Sequence, residues 1–174
     1  MAISSFNKPT LFVAGNHEIV AGNKDKLQRF RDLTKGTYLT VLDNEVFEYN
    51  DVRFLGCTLW SPANKRMCDS MNESISWLKK KLAQPYHGKT VVVTHYSPLH
   101  ESLDYETLID TNLAQRISID LREFIKPSNI SLWVHGHIHK KQDYFCGKTR
   151  IVCNTIGYAD MLEPDFNPNL VIEV

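Results

Sequence analysis

At 174 residues the chain is long enough to bury a sizeable core and too short for two ordinary domains, so a single domain over residues 1–174, with at most one active site, is expected. Twenty basic side chains offset twenty acidic ones and the longest basic run is Lys79, Lys80 and Lys81, which excludes the field and the patch that nucleic-acid binding requires. No apolar stretch approaches the ~18–20 residues that cross a bilayer, the N-terminus lacks a basic leader and an apolar core, and Cys57, Cys68, Cys146 and Cys153 make no CxxC pair, so a soluble, unexported, cytoplasmic protein without a membrane partner is expected.

Short β-branched runs alternate with longer segments of helical period, the texture of a layered α/β domain. Residues 10–14 are apolar and stop at Gly15, which suits a buried strand opening into a loop that carries Asn16, His17 and Glu18. Leu27, Phe30 and Leu33 then recur at helical spacing over residues 25–33. Strands are expected over 38–42, 46–49 and 52–59, the last two joined by a tight turn at Asn50-Asp51. Ser70 and Glu73 have the spacing of a capping box and predict a helix start there, with Ile75, Leu78 and Leu82 as its buried stripe and the three lysines on its solvated face. Pro85 and Gly88 end that helix before residues 90–94, a strand apolar on both faces and so central in a covered sheet.

His95 stands where that strand stops. Ile117, Leu121, Phe124 and Ile125 predict one helix over 113–125, halted by Pro127. A strand over 130–134 runs into His135-Gly136-His137-Ile138-His139, residues 142–146 and 150–155 form a hairpin across Gly147-Lys148, and 169–174 make a final strand. Cys146 and Cys153 fall on that hairpin's two arms, yet four free thiols are the simpler expectation. Trp60, Trp77 and Trp133 belong to the core or its edge. His87, His100 and His135 are assigned to surface or loop, and Asp104, Glu106 and Asp110 to a solvated loop.

Three strand ends thus present metal-competent side chains: Asn16 and His17, then His95, then His137 and His139. Sites in open α/β sheets assemble beyond the carboxyl ends of strands, so a shared cleft is expected. In extended backbone, residues two apart place both imidazoles on one side, and Gly136 leaves room where the chain turns close to an ion.

Gly15-Asn16-His17-Glu18, Val92-Val93-Thr94-His95 and Gly136-His137-Ile138-His139, in this order, resemble the last three signature blocks of the calcineurin-like metallophosphoesterases, and residues 154–158 resemble the segment that follows them. The resemblance implies an α/β/β/α sandwich and hydrolysis of phosphomonoesters or phosphodiesters at two divalent metals, drawn from manganese, iron, nickel or zinc, on a phosphorylated small-molecule or protein substrate. It implies that Asn16, His95 and His137 bind the second metal, that His139 binds the first, that His17 acts as general acid or electrostatic partner to the leaving group, and that Glu18 orients His17.

The family's opening DxH and GDxxD blocks, with the first two strands that carry them, are missing from this sequence, and no Asp, Glu or His precedes Gly15. At most one metal is therefore expected from this chain alone, unless Glu18, Asp143 or Asp160 bridges, and hydrolysis is expected to be impaired. Three readings follow: a phosphoesterase separated from its N-terminal strands, a non-catalytic binding or regulatory module, and a chain whose sheet a second copy or another polypeptide completes.

Overall fold

The computed structural model describes residues 8–174. Strands β1 (Thr10–Val13) and β2 (Leu39–Leu42), linked by helix α1 (Lys24–Thr34), pair in parallel from Thr10 opposite Leu39 to Val13 opposite Leu42. The main sheet holds β3 (Glu45–Tyr49), β4 (Val52–Cys57), β5 (Lys89–Thr94), β6 (Leu132–His135), β7 (Gln142–Cys146) and β8 (Thr149–Cys153), in the spatial order β3-β4-β5-β6-β8-β7. Its centre, β4-β5-β6-β8, is parallel, and antiparallel hairpins close the two edges. This mixed α/β architecture around a central mixed sheet is the one expected.

Residues 90–94 supply the middle strand because Val92 faces one side, with Trp133 and Ile151 in register, and Val91 and Val93 face the other. On the first side these three side chains are fully buried with Leu55, Leu78, Ile125 and Ile130 beneath helix α2 (Lys65–Leu82). On the other, Val91, Leu132 and Val152 are covered by Leu170 and Ile172. Asn50 and Asp51 both adopt positive φ, 48° and 59°, the turn that matches the twist of a two-residue hairpin. All four cysteines are free. Lys79 and Lys80 lie exposed in the last turn of α2.

Four expectations need correction. The cap of helix α2 lies six residues before Ser70: it is Asn64, whose side chain accepts the Met67 N–H at 3.1 Å. Nothing in residues 65–69 breaks a helix, so the stronger upstream cap takes the start and Ser70 lies inside. The helix expected over 113–125 is broken into α4 (Thr111–Ile117) and α5 (Arg122–Ile125), preceded by a short α3 (Tyr105–Ile109). Ser118 turns extended and bridges Ser97, while the N–H groups of Ile119 and Leu121 donate to the Ser97 and Pro98 carbonyls at 3.2 and 2.9 Å; these tertiary bonds outweigh the helical ones. Residues 169–174 keep a strand's alternation, with Leu170 and Ile172 packed and Val171 exposed, but join no ladder. Leu33, assigned to the stripe of α1, is 75% exposed, and Thr34 is buried instead. A small hairpin of β9 (Gly157–Tyr158) and β10 (Met161–Leu162) had no sequence signal.

No helix among the described residues is long and apolar enough to cross a membrane. The corrected helix start carries a testable consequence: Asn64→Ala lowers unfolding stability by about 1 kcal/mol, whereas Ser70→Ala changes it by a few tenths at most. Urea denaturation measures both, and the opposite ranking would restore Ser70 as the cap.

Candidate functional site

The carboxyl ends of the strands are stitched together just past the ladders. Thr58 Oγ1 donates to the Ala14 carbonyl at 2.9 Å, tying the end of β1 to that of β4. The Tyr96 N–H donates to the Thr58 carbonyl at 3.1 Å, and the Gly136 N–H to the His95 carbonyl at 3.1 Å. Three loops are thereby held side by side.

In the first loop the Gly15 carbonyl accepts the N–H groups of Glu18 and Ile19, both at 3.1 Å, and Glu18 Oε2 accepts the Gly15 N–H at 2.8 Å. Glu18 thus fixes the turn itself, whereas the resemblance assigned it to His17. A Cβ on Gly15 would lie 2.5 Å from His95 Cε1 and 2.7 Å from Nδ1, so only glycine lets this loop rest on the imidazole. At Gly136, expected to be the tight point, a Cβ would make ordinary 3.8 Å contacts.

His137 has φ 63° and Leu59, next to Thr58, has φ 57°. A left-handed non-glycine residue costs roughly 1–3 kcal/mol, and such strain gathers where surrounding bonds overdetermine the backbone. Here Ile138, buried, anchors the loop: its carbonyl accepts Thr155 Oγ1 at 2.8 Å and its N–H donates to the Gly136 carbonyl at 2.7 Å. The His137 segment is therefore not the extended stretch assumed from its spacing.

These loops bring Asn16, His95 and His137 together. His95 Nε2 stands 2.7 Å from Asn16 Oδ1 and 3.1 Å from His137 Nδ1. Tyr96 supports both rings, with centroids 5.3 Å from His95 and 4.2 Å from His137. Burial, reinforced by the neighbouring histidines, lowers His95 to about 4 and His137 to about 3, so both imidazoles are neutral at pH 7. His17 and His139 are exposed, near enough to contribute to that lowering but hydrogen-bonded to none of the three; the His139 ring packs edge-on against Tyr158 at 4.1 Å.

His135 is the residue sequence reasoning misplaced. It is buried, because β6 runs one residue further than expected and pairs His135 with Cys153. Its Nδ1–H donates to the Gly136 carbonyl at 3.0 Å, so Nε2 accepts from Ser102 Oγ, also at 3.0 Å, and Ser102 lies 2.8 Å from the Tyr144 hydroxyl. Burial lowers it to about 4. The signal was present in the strand's alternation, which puts Trp133 and His135 on one face. His100 is half-buried with Nδ1 2.6 Å from Ser118 Oγ, and His87 is exposed. Asp104 and Asp110 cap α3 and α4, and the Glu106 side chain lies outside the described residues.

Two imidazole nitrogens and an amide oxygen at these separations fit the edges of a coordination shell, since donors ~2.0–2.2 Å from one ion lie about 3 Å apart. Among the described residues no group of three or more His, Cys, Asp and Glu side chains is placed to hold an ion, so Asn16 is indispensable to the set. Of the three carboxylates that could bridge, Glu18 holds Gly15, Asp143 forms two bonds of 2.8 and 2.7 Å to Arg150, and Asp160 is exposed in the turn between β9 and β10. A cavity of about 660 Å³ opens beside Asn16 and His137, and a second of about 310 Å³ lies between His137 and His139.

Gly15→Ala is expected to displace the His95 ring, shifting its NMR resonances while the fold is retained. Because His95, His135 and His137 titrate below the ~6.5 of an unfolded histidine, the unfolded state binds more protons between those values, and stability falls as pH drops from about 6.5 toward 4. Urea midpoints at pH 7.5 and 4.5 check this; the difference should shrink in His95→Gln, and an unchanged difference would contradict the assignment.

The calcineurin-like phosphoesterase family model matches residues 1–141. Uncharacterized protein L509 of Acanthamoeba polyphaga mimivirus is 23% identical over an alignment of 214 residues, covering 99% of this chain and 76% of the viral protein. One crystal structure superposes with a TM-score of 0.64 at 16% identity, over 87% of this chain and 58% of its own. A Staphylococcus aureus protein described as a 5′-nucleotidase, solved with alpha-ketoglutarate, superposes with a TM-score of 0.50 at 16% identity, over 83% of this chain and 32% of its own. The chain thus spans less than two thirds of either solved structure, and both likenesses concern the fold alone. With most of its length under the family model, three motif blocks meeting at one set of strand ends, and a matching sheet, this chain belongs to the calcineurin-like phosphoesterase family.

Proposed function

We propose that this chain provides a metal-dependent phosphoesterase site that holds one divalent ion, manganese, iron, nickel or zinc, between Asn16, His95 and His137. The observation that carries the reading is the convergence of Asn16 Oδ1, His95 Nε2 and His137 Nδ1 from three strand ends, at 2.7 and 3.1 Å. Neutral imidazoles and an amide oxygen suit such ions more than calcium. When bound, the ion supplies Lewis-acid polarisation of a phosphoryl oxygen and activation of water.

The protein's own residues supply position and protons. Tyr96 and the Gly15 turn fix the His95 ring on two sides, so the nitrogen facing Asn16 is preorganised. His17, exposed one residue beyond Asn16, is the proposed proton donor to a departing alkoxide. His139, across His137 at the smaller cavity, is the residue available to a second ion. Among the described residues no carboxylate joins the set, which supports weak turnover, and the substrate is a phosphorylated small molecule or protein. The family assignment supports phosphoester chemistry. The free cysteines accord with a cytoplasmic setting.

The absence of an acidic ligand among the described residues also supports a second reading, a binding or regulatory module that keeps the ion without turnover. Among the described residues β1 pairs only with β2, so a second copy or a partner chain adding a strand beside β1 belongs to the proposal.

Elemental analysis of manganese-loaded protein should return one ion per chain, lost in Asn16→Ala, His95→Ala and His137→Ala. Hydrolysis of p-nitrophenyl phosphate should be slow, stimulated by manganese and lowered about tenfold or more in His17→Ala. One ion without turnover would select the binding module; failure to retain any ion would overturn both readings.

A further inference from the structure

Two exposed arginines line the larger cavity, and among the described residues neither has an acidic ion-pair partner. Arg66, in the first turn of α2, and Arg116, in the last turn of α4, line the same space of about 660 Å³ as Asn16 and His137. The ion pairs among the described residues join Arg31 to Glu45, Arg122 to Glu101, Lys126 to Glu123 and Arg150 to Asp143, and neither Arg66 nor Arg116 takes part. Among the described residues no Asp or Glu lines the cavity.

The roots of both side chains are fixed. Buried Ser61 donates its hydroxyl to the Arg116 carbonyl at 2.5 Å, which ties the end of α4 to the loop after β4. Asn64 caps the turn that carries Arg66. Trp60 and Tyr96, both buried with ring centroids 5.7 Å apart, form an apolar floor beneath them. The smaller cavity differs: its wall holds Asp104 beside Lys140, so its charges offset.

One wall of the larger cavity therefore carries Asn16 and His137, two of the three proposed ligands, and elsewhere the lining presents two arginines together with the apolar Trp60 and Tyr96. We infer that this cavity receives the leaving group of a small phosphoester, and that Arg66 and Arg116 select leaving groups bearing a second anionic group, a carboxylate or a further phosphate. A guanidinium meets either group through two parallel N–H···O bonds, and a carboxylate-free wall leaves both forks available to the substrate. The inference rests on the proposed phosphoesterase reading, and it makes Arg66 and Arg116 specificity-determining residues.

A matched pair of esters tests it: glycerol 2-phosphate and 2-phosphoglycerate, which differ by one hydroxymethyl group replaced by a carboxylate. For the manganese-loaded full chain, kcat/KM should favour 2-phosphoglycerate by about tenfold, mostly through KM, and the preference should collapse toward one in the Arg66→Gln/Arg116→Gln double variant. A ratio within one protein is insensitive to the fraction folded or metal-loaded. Calorimetric binding of the two esters reads the same preference without turnover, so loss of catalysis would count against the phosphoesterase reading and leave the arginine test intact. Equal binding of both esters by the unaltered chain, or a preference that survives in the double variant, would overturn the inference.

Discussion

The site depends on the row of hydrogen bonds that joins loop to loop where the strands end. Ladder bonds bring β4, β5 and β6 into register, but the bonds from Thr58 to Ala14, from Tyr96 to Thr58 and from Gly136 to His95 carry that register past the sheet. The first of them is the most consequential, because β1 is paired with β2 and not with the main sheet. The Thr58 hydroxyl adds a direct bond between that unit and the main sheet, alongside the packing of Ala14, Ile19 and Val41 in one buried cluster with Trp60 and Tyr96.

Packing supports this arrangement from below. The Trp133 indole donates to Thr94 Oγ1 at 2.9 Å, and Thr94 Oγ1 donates to the Tyr96 carbonyl at 2.8 Å, so the largest fully buried side chain of the core is bonded to the segment that holds His95. Strained backbone at Leu59 and His137 sits on either side of that segment. The cost of those conformations is tolerable because buried neighbours on each side leave the loops no alternative path. The buried chain of Tyr144, Ser102 and His135 completes the support by fixing the carbonyl of Gly136, one residue before His137.

Much of this was legible in residue order. The Val91–Val93 run reads as a central strand, Asn50-Asp51 suits a tight turn, and Asn16, His95 and His137 stand at three expected strand ends in the sequence itself. What escaped was settled by contacts distant in sequence. Residues 113–125 have an unbroken helical period, yet Ser118 is claimed by Ser97 and the Ile119 and Leu121 amides by the chain after His95. Ser70 and Glu73 satisfy a capping pattern that an earlier asparagine makes redundant. The steric demand at Gly15, rather than Gly136, arises from a ring eighty residues away and leaves no local mark. Arg66 and Arg116 share a cavity only because two helices end at it.

Meeting of three donor atoms around a common ion is the claim on which the rest stands, and it is accessible directly. Anomalous diffraction from crystals grown with manganese should place one peak within about 2.3 Å of Asn16 Oδ1, His95 Nε2 and His137 Nδ1 together. A manganese peak that avoids these three atoms, with the ion bound elsewhere on the chain or not at all, would contradict it.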